Sequence, residues 1–149
     1  MRFFALEQAR RWVIEHLDDG VVCPCCGQLA RRQRRKVTSS MVYMLGKMYQ
    51  TAGTDYVHLH SLRDPRSSMD TTVMKYWGLI AEDDRRREDG GRGGYWRVTH
   101  FGERFLQGKA TISKYAWVFN DAVHRYEGPN VNIHDCNRER FRFDELMAA

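Results

Sequence analysis

Met41, Met44, Leu45, Met48, Tyr49 and Ala52 fall at i, i+3, i+4, i+7, i+8 and i+11, and no other pattern in the chain constrains its fold as tightly. That spacing lines one face of an α-helix with apolar side chains, and such a face must be buried against other elements. Thr38, Ser39 and Ser40 precede the stripe with hydroxyls suited to the orphan N–H groups of a first turn, and Gly53 ends it. Methionines at helical spacing fill core gaps far more often than they hold ligands.

Other elements follow on either side. Phe3, Leu6, Val13 and Leu17, with small Ala9, share a helical face that Gly20 terminates. The alternation Tyr56-Val57-His58-Leu59-His60 predicts a short strand. Asp64-Pro65 breaks the chain before a helix over 67–77, with Ser67 and Asp70 as a capping-box start and Met69, Val73, Tyr76 and Trp77 as its buried side. Two strands, ending at Glu82-Asp83 and beginning at Tyr95, flank the glycine-rich tip Gly90–Gly94 and predict a hairpin. Thr99 caps a further helix, with Phe101, Phe105 and Leu106 inward and Gly108 as its end. Beyond it, Tyr115, Trp117 and Phe119 alternate with Lys114, Ala116 and Val118; Asn120-Asp121 signals a turn, and Gly128-Pro129-Asn130 another. Phe141 and Phe143 alternate with Arg140 and Arg142 before a helical tail near 144–147. The expected fold is α+β in one compact unit: an N-terminal helix, cysteine turn and basic strip over 1–37, a core domain over 38–108, and a β-meander over 109–149. At 149 residues, 42% of them hydrophobic and 12% aromatic, the chain can bury a core without disulfides.

The stretch Tyr76-Trp77-Gly78-Leu79-Ile80, followed by Tyr95-Trp96-Arg97-Val98-Thr99-His100-Phe101-Gly102, resembles the winged helix-turn-helix domains of bacterial and phage regulators. These leave the recognition helix through a Gly-Leu-Ile/Val exit and join wing to next helix through a Thr-x-x-Gly step. The resemblance covers about half the chain and implies a winged-helix core over 38–108. The whole sequence is also similar to uncharacterised small proteins of tailed bacteriophages that carry a Cys-Pro-Cys-Cys-Gly turn, a likeness that suggests a source and supplies no activity.

Charge points the same way. Of the net +5, residues 1–40 contribute eight Lys/Arg against four Asp/Glu, concentrated in Arg31-Arg32-Gln33-Arg34-Arg35-Lys36. A cationic strip of this kind favours a polyanion, while a plain solvated surface is the competing account. A winged helix would set the 67–77 helix in a DNA major groove, presenting Arg66, Ser68, Thr71, Thr72 and Lys75 to bases and phosphates. Arg85, Arg86, Arg87 and Arg92 on the hairpin would reach the neighbouring backbone or minor groove. Arg31, Arg32, Arg34, Arg35 and Lys36 would neutralise phosphates and make binding steeply salt-dependent. Against this, Asp83, Asp84, Glu88 and Asp89 nearly cancel the hairpin arginines, and Asp70 sits at the start of the groove helix.

Cys23-Pro24-Cys25-Cys26-Gly27 contains a C-x-x-C that resembles one knuckle of a zinc ribbon. Zinc takes thiolates in tetrahedral array, and one knuckle supplies two. With no second C-x-x-C, a structural zinc site would need remote ligands: His134 and Cys136 first, then His58 and His60, then His16. The plainer alternative is a metal-free turn whose cysteines act as small apolar groups. Clustered cysteines and the lack of a signal peptide's apolar centre suggest a reducing cytoplasm, the host's if the protein is phage-encoded. No nucleophile–base signature, P-loop or dinucleotide glycine pattern occurs, so an enzyme is not expected. The leading expectation is a DNA-binding regulator; the alternative is an adaptor that docks on a host protein through the wing or C-terminal part.

Overall fold

The computed structural model describes residues 5–83 and 94–136. Helix α2, Ser39–Ala52, lies at its centre, where Met41, Val42, Met44, Leu45 and Met48 are at most 2% exposed. The Thr38 hydroxyl accepts a hydrogen bond from the Met41 N–H at 3.3 Å, and Gly53 closes the helix at φ +61°. Burial extends past the predicted stripe to Val42 and Tyr43, because elements pack on α2 from several sides.

The architecture is α+β. Three short antiparallel strands pack on α2: β4 (Val57–His58), β5 (Ile80–Glu82) and β6 (Tyr95–Val98), in spatial order β4-β6-β5. Between β4 and β5 the chain forms two 3-10 segments, Leu59–Leu62 and Thr71–Trp77. The second replaces the α-helix expected over 67–77. Ser67 instead closes a turn, its hydroxyl accepting the Asp64 N–H at 2.8 Å, and Thr71-Thr72-Val73 is a β-branched run that crowds an α-helix. Its apolar side shifts as well: Met69 is 77% exposed, while Met74 and Thr71 are buried beside Val73 and Trp77.

After β6 comes helix α3, His100–Leu106, with Phe105 and Leu106 buried and Phe101, against expectation, 37% exposed. The second sheet, in order β3-β7-β8, joins β3 (Gln33–Lys36), β7 (Ile112–Phe119) and β8 (Ala122–Val131). Asn120 and Asp121, at φ +50° and +62°, form the β7–β8 turn. Gly128-Pro129-Asn130 does not turn the chain: β8 runs through it to Val131, with Gly128 at φ +89° under the Tyr115 ring. Ile133–Cys136 is a helical turn, α4, tied by reciprocal Asn132–Asp135 side-chain bonds to backbone N–H groups. The N-terminal helix α1, Leu6–Glu15, leaves Leu6 exposed and buries Ala9, Val13 and then Leu17; Val13 and Leu17 pack with Ala30 in a small separate cluster that Cys23 and Phe119 border. The meander strand around Phe141 and Phe143 and the tail near 144–147 lie outside the described residues. Among the described residues no helix is long and apolar enough to cross a membrane.

Two junctions hold the central unit. Thr99 caps α3, accepting the Gly102 N–H at 3.0 Å, while its own hydroxyl donates to the Gly78 carbonyl at 2.5 Å and its N–H to the Leu79 carbonyl at 3.0 Å. A side chain at Gly102 would place its Cβ 2.2 Å from that Leu79 oxygen. Gly102→Ala should therefore cost more than about 2 kcal/mol of stability in chemical denaturation; a variant as stable as the parent contradicts this packing.

At the other junction, Asp64 accepts hydrogen bonds from the Tyr43 hydroxyl (2.5 Å), Lys47 Nζ (2.9 Å) and the Arg66 N–H (2.8 Å), tying α2 to the loop before the second 3-10 segment. The Tyr43 hydroxyl, then Lys47 and the Arg66 N–H hold its carboxyl well below the usual carboxylate range, against the opposing pull of burial. A depressed folded-state value stabilises the protein above the unfolded-chain value of about 3.9 and loses that contribution as pH falls toward the folded value. Asp64→Asn should lower stability at pH 7 by about 2 kcal/mol and flatten the acid limb of the stability–pH curve, as urea denaturation between pH 3 and 7 will show.

Candidate nucleic-acid interface and cysteine turn

The basic strip is the edge strand of the second sheet. Gln33, Arg34, Arg35 and Lys36 pair with Val118, Trp117, Ala116 and Tyr115 of β7. Residues opposite one another share a face, and neighbours along a strand alternate. Arg34 and Lys36 therefore lie outward with Trp117 and Tyr115, and Arg125 and Glu127 of β8 complete the two cross-strand rows. The Arg34 guanidinium lies 4.4 Å from the Tyr115 ring centre, and that of Arg125 lies 4.6 Å from Trp117. Lys114 Nζ lies 5.7 Å from Tyr115. Cation–π packing of this kind holds long side chains across the rings without removing their charge. Trp117 Nε1 donates to Glu127 at 2.6 Å, Arg34 meets the same carboxylate at 3.8 Å, and Arg125 meets Asp18 at 3.7 Å, so the face carries two carboxylates beside its cations. At one end the face runs into an open cleft of about 640 Å³ lined by Lys36, Thr38, Ser39, Lys114, Asn130 and Asp135.

The remaining strip residues are differently placed. Arg35 lies on the inner face and reaches Asp70 at 3.4 Å. Arg32, with 13% of its side chain exposed, bonds Asp18 at 2.6 Å and His124 at 3.0 Å. Arg31 is exposed, its stem near Gly20.

The inner face of this sheet covers the segment expected to enter a groove. Trp77 Nε1 donates to the Ser113 carbonyl at 2.7 Å, the Tyr126 hydroxyl to the Tyr76 carbonyl at 2.5 Å, and the Tyr76 hydroxyl to Asp121 at 3.0 Å. Lys75 pairs with Asp121 at 2.7 Å; each holds the other charged, so the lysine's pKa is raised and the carboxylate's lowered. Thr71 is buried and bonds the Ser68 carbonyl, Thr72 and Ser68 are half-buried, and Arg66 is exposed. Of the groove residues expected from sequence, only Arg66 is exposed. Arg85, Arg86, Arg87 and Arg92 lie outside the described residues. Sequence reasoning did not pick out Tyr115, Trp117, Lys114 and Arg125 as site residues, although the aromatic alternation of 115–119 pointed to the strand that carries them.

The cysteine turn caps a two-stranded hairpin of β1 (Val21–Val22) and β2 (Leu29–Ala30). The Cys23 N–H donates to the Gln28 carbonyl at 2.8 Å, the Gly27 N–H donates to the Cys23 carbonyl at 2.9 Å, and Gly27 takes φ +75°. The Cys23 sulfur accepts the backbone N–H groups of Cys25 and Cys26, in that order of importance, and these bonds with the neighbouring thiols lower its pKa against a smaller opposing effect of burial. The remote ligands expected from sequence are not brought here. Cys136 is buried in the main core, His134 is exposed on α4, and no group of three or more His, Cys, Asp or Glu that could hold a metal forms among the described residues. The chain matches no protein-family model, no curated protein and no solved structure.

The lowered Cys23 value has a direct readout. Site-resolved iodoacetamide labelling should place the midpoint of the Cys23 pH–rate profile below that of the same thiol in the urea-unfolded chain; a midpoint at or above it contradicts the N–H···S arrangement.

Proposed function

We propose that the protein is a non-enzymatic DNA-binding protein, a winged-helix unit of the phage-regulator type, whose main DNA contact is the outer face of the β3-β7-β8 sheet. The observation that carries the reading is the cross-strand row Arg34–Trp117–Arg125 beside Lys36–Tyr115 on an exposed antiparallel sheet. Cations anchored over aromatic rings offer phosphate neutralisation at low entropic cost, and aromatic side chains between them offer stacking to any unpaired base. Antiparallel strands are an established way of presenting side chains to a nucleic acid.

The winged-helix part of the reading is supported by chain order. Helix α2, strand β4, two short helical segments, the β5–β6 pair and α3 follow one another, and the strands lie in the order β4-β6-β5. The second 3-10 segment then stands where a recognition helix would, with its C-terminal half closed off by β7 and β8. DNA contact thus moves to the sheet and to Arg66. A structural zinc at the cysteine turn belongs to the same reading as a brace for the hairpin that leads into β3.

Docking on a host protein is the second reading, and the pairs Arg32–Asp18, Arg35–Asp70 and Lys75–Asp121 favour it, because they neutralise cations that DNA would otherwise use. Salt separates the two. With about four phosphates neutralised by Arg34, Lys36, Lys114 and Arg125, anisotropy on a labelled mixed-sequence duplex should give a log K against log salt slope of about −3 to −4. Replacing Arg34, Lys36 and Arg125 by Gln should bring that slope to about −1. Absence of binding at 25–50 mM salt refutes the DNA reading and leaves the docking one.

A further inference from the structure

We propose that the cysteine turn is half of a zinc site completed by the same turn of a second copy of this chain, giving a Zn(Cys)4 centre at a two-fold interface. The inference stands independently of DNA binding.

The turn already has the form that a two-thiolate ligand unit needs. Cys23 and Cys26 stand three residues apart, the Gly27 N–H bonds back to the Cys23 carbonyl at 2.9 Å, and Gly27 occupies the left-handed region that lets the chain leave the knuckle.

No further Cys or His of the same chain completes the site among the described residues. Its ten Cys and His residues are Cys23, Cys25, Cys26 and Cys136 with His16, His58, His60, His100, His124 and His134, and all ten lie within the described residues. None of them joins the turn to make a group of three, and the three thiols of the turn do not form such a group by themselves. His124 Nδ1 is taken by Arg32, His16 Nδ1 by the Trp12 carbonyl at 2.6 Å, and Cys136 is in the main core. Zinc in a structural site is closed by four ligands, with sulfur and nitrogen preferred. With Cys23 and Cys26 as the pair, and Cys25 not joining them in a group of three, two sulfurs per chain lead to two chains per ion. An isologous interface about a two-fold axis brings the same pair from each side.

The surface around the turn fits that occupant. Cys26 is exposed, and the hairpin below it presents the cross-strand pair Val22 and Leu29 to solvent at 59% and 70% exposure. An apolar pair beside a tip that carries ligands is suited to burial against its own symmetry copy. On binding, two thiols per chain release their protons to solvent and the ion takes four thiolates, with no change of oxidation state.

The test uses the full chain under a non-thiol reductant, which keeps disulfides from forming. Sedimentation velocity after EDTA treatment should give a monomer. Added Zn²⁺ should double the mass at a stoichiometry of one ion per two chains, and Co²⁺ in its place should show the intense sulfur-to-cobalt charge-transfer band and visible bands of a tetrathiolate site. Cys23→Ser and Cys26→Ser should each abolish dimer and band while circular dichroism stays unchanged, and Cys136→Ser should leave both in place. A monomer binding one ion per chain, a dimer that survives EDTA, or no ion bound at micromolar Zn²⁺ each overturns the proposal.

Discussion

Close approach of helix α3 to the Leu79 carbonyl is the contact on which the central unit depends. Leu79 leaves the second 3-10 segment, and its oxygen receives the Thr99 N–H where β6 passes into α3, while the Thr99 hydroxyl donates to the neighbouring Gly78 carbonyl. Gly102 permits that approach because a single added carbon would overlap the oxygen. One buried carbonyl thus fixes the end of a helix, the start of the strand β5 and the first turn of α3 together. The Thr-x-x-Gly step that drew attention in the sequence has this physical content: the threonine serves as cap and tie, and the glycine leaves room for it.

Around that unit the chain uses a second sheet to decide which charges face solvent. Pairing of β3 with β7 turns a run of six residues that looks uniformly basic into two faces. Arg34 and Lys36 go out to the aromatic face, while Arg35 goes in to Asp70, and Arg32, just ahead of the strand, is held by Asp18 and His124. The same sheet takes up the polar and aromatic side chains of the second 3-10 segment, so Lys75 and Tyr76 meet the β7–β8 turn through Asp121. Enclosing one basic surface and exposing another are two results of a single strand pairing. The aromatic residues of β7 have a double part in this: Ala116 and Val118 between them enter the core, and Tyr115 and Trp117 become the platform beneath the outward cations.

Several local signals match the structure, though Gly128-Pro129-Asn130, which looks like a turn, lies within β8. The caps at Thr38 and Thr99, the Gly53 and Gly108 stops, the Asn120-Asp121 turn and the strand through Trp117 each depend on residues within one or two turns of one another. Errors arose where distant packing outweighed a weak local preference. Ser67 and Asp70 look like a capping box, yet Asp64 captures Ser67, and the β-branched run after Asp70 tightens into 3-10 geometry. Phe101 and Met69, expected inside, are exposed, because α3 and the 3-10 segment are rotated by contacts that lie elsewhere in the chain. The cysteine turn was recognisable from five residues, whereas the distance of Cys136 from it was not, since α4 is placed by the core and not by its neighbours in sequence.

By itself, the amino-acid sequence determined the central helix and its caps, the Asn120-Asp121 turn, the tight turn at Cys23–Gly27 and an excess of positive charge near residue 34, because spacing, capping and turn chemistry act over a few residues. Tertiary structure alone decided that the basic run is a strand, which of its cations reach solvent, and that the segment expected in a groove is covered. A strand of Gln, Arg, Arg and Lys carries no apolar alternation to announce its register; that register is set by a partner far along the chain, whose buried face of Ala116 and Val118 has only one side it can present to the core.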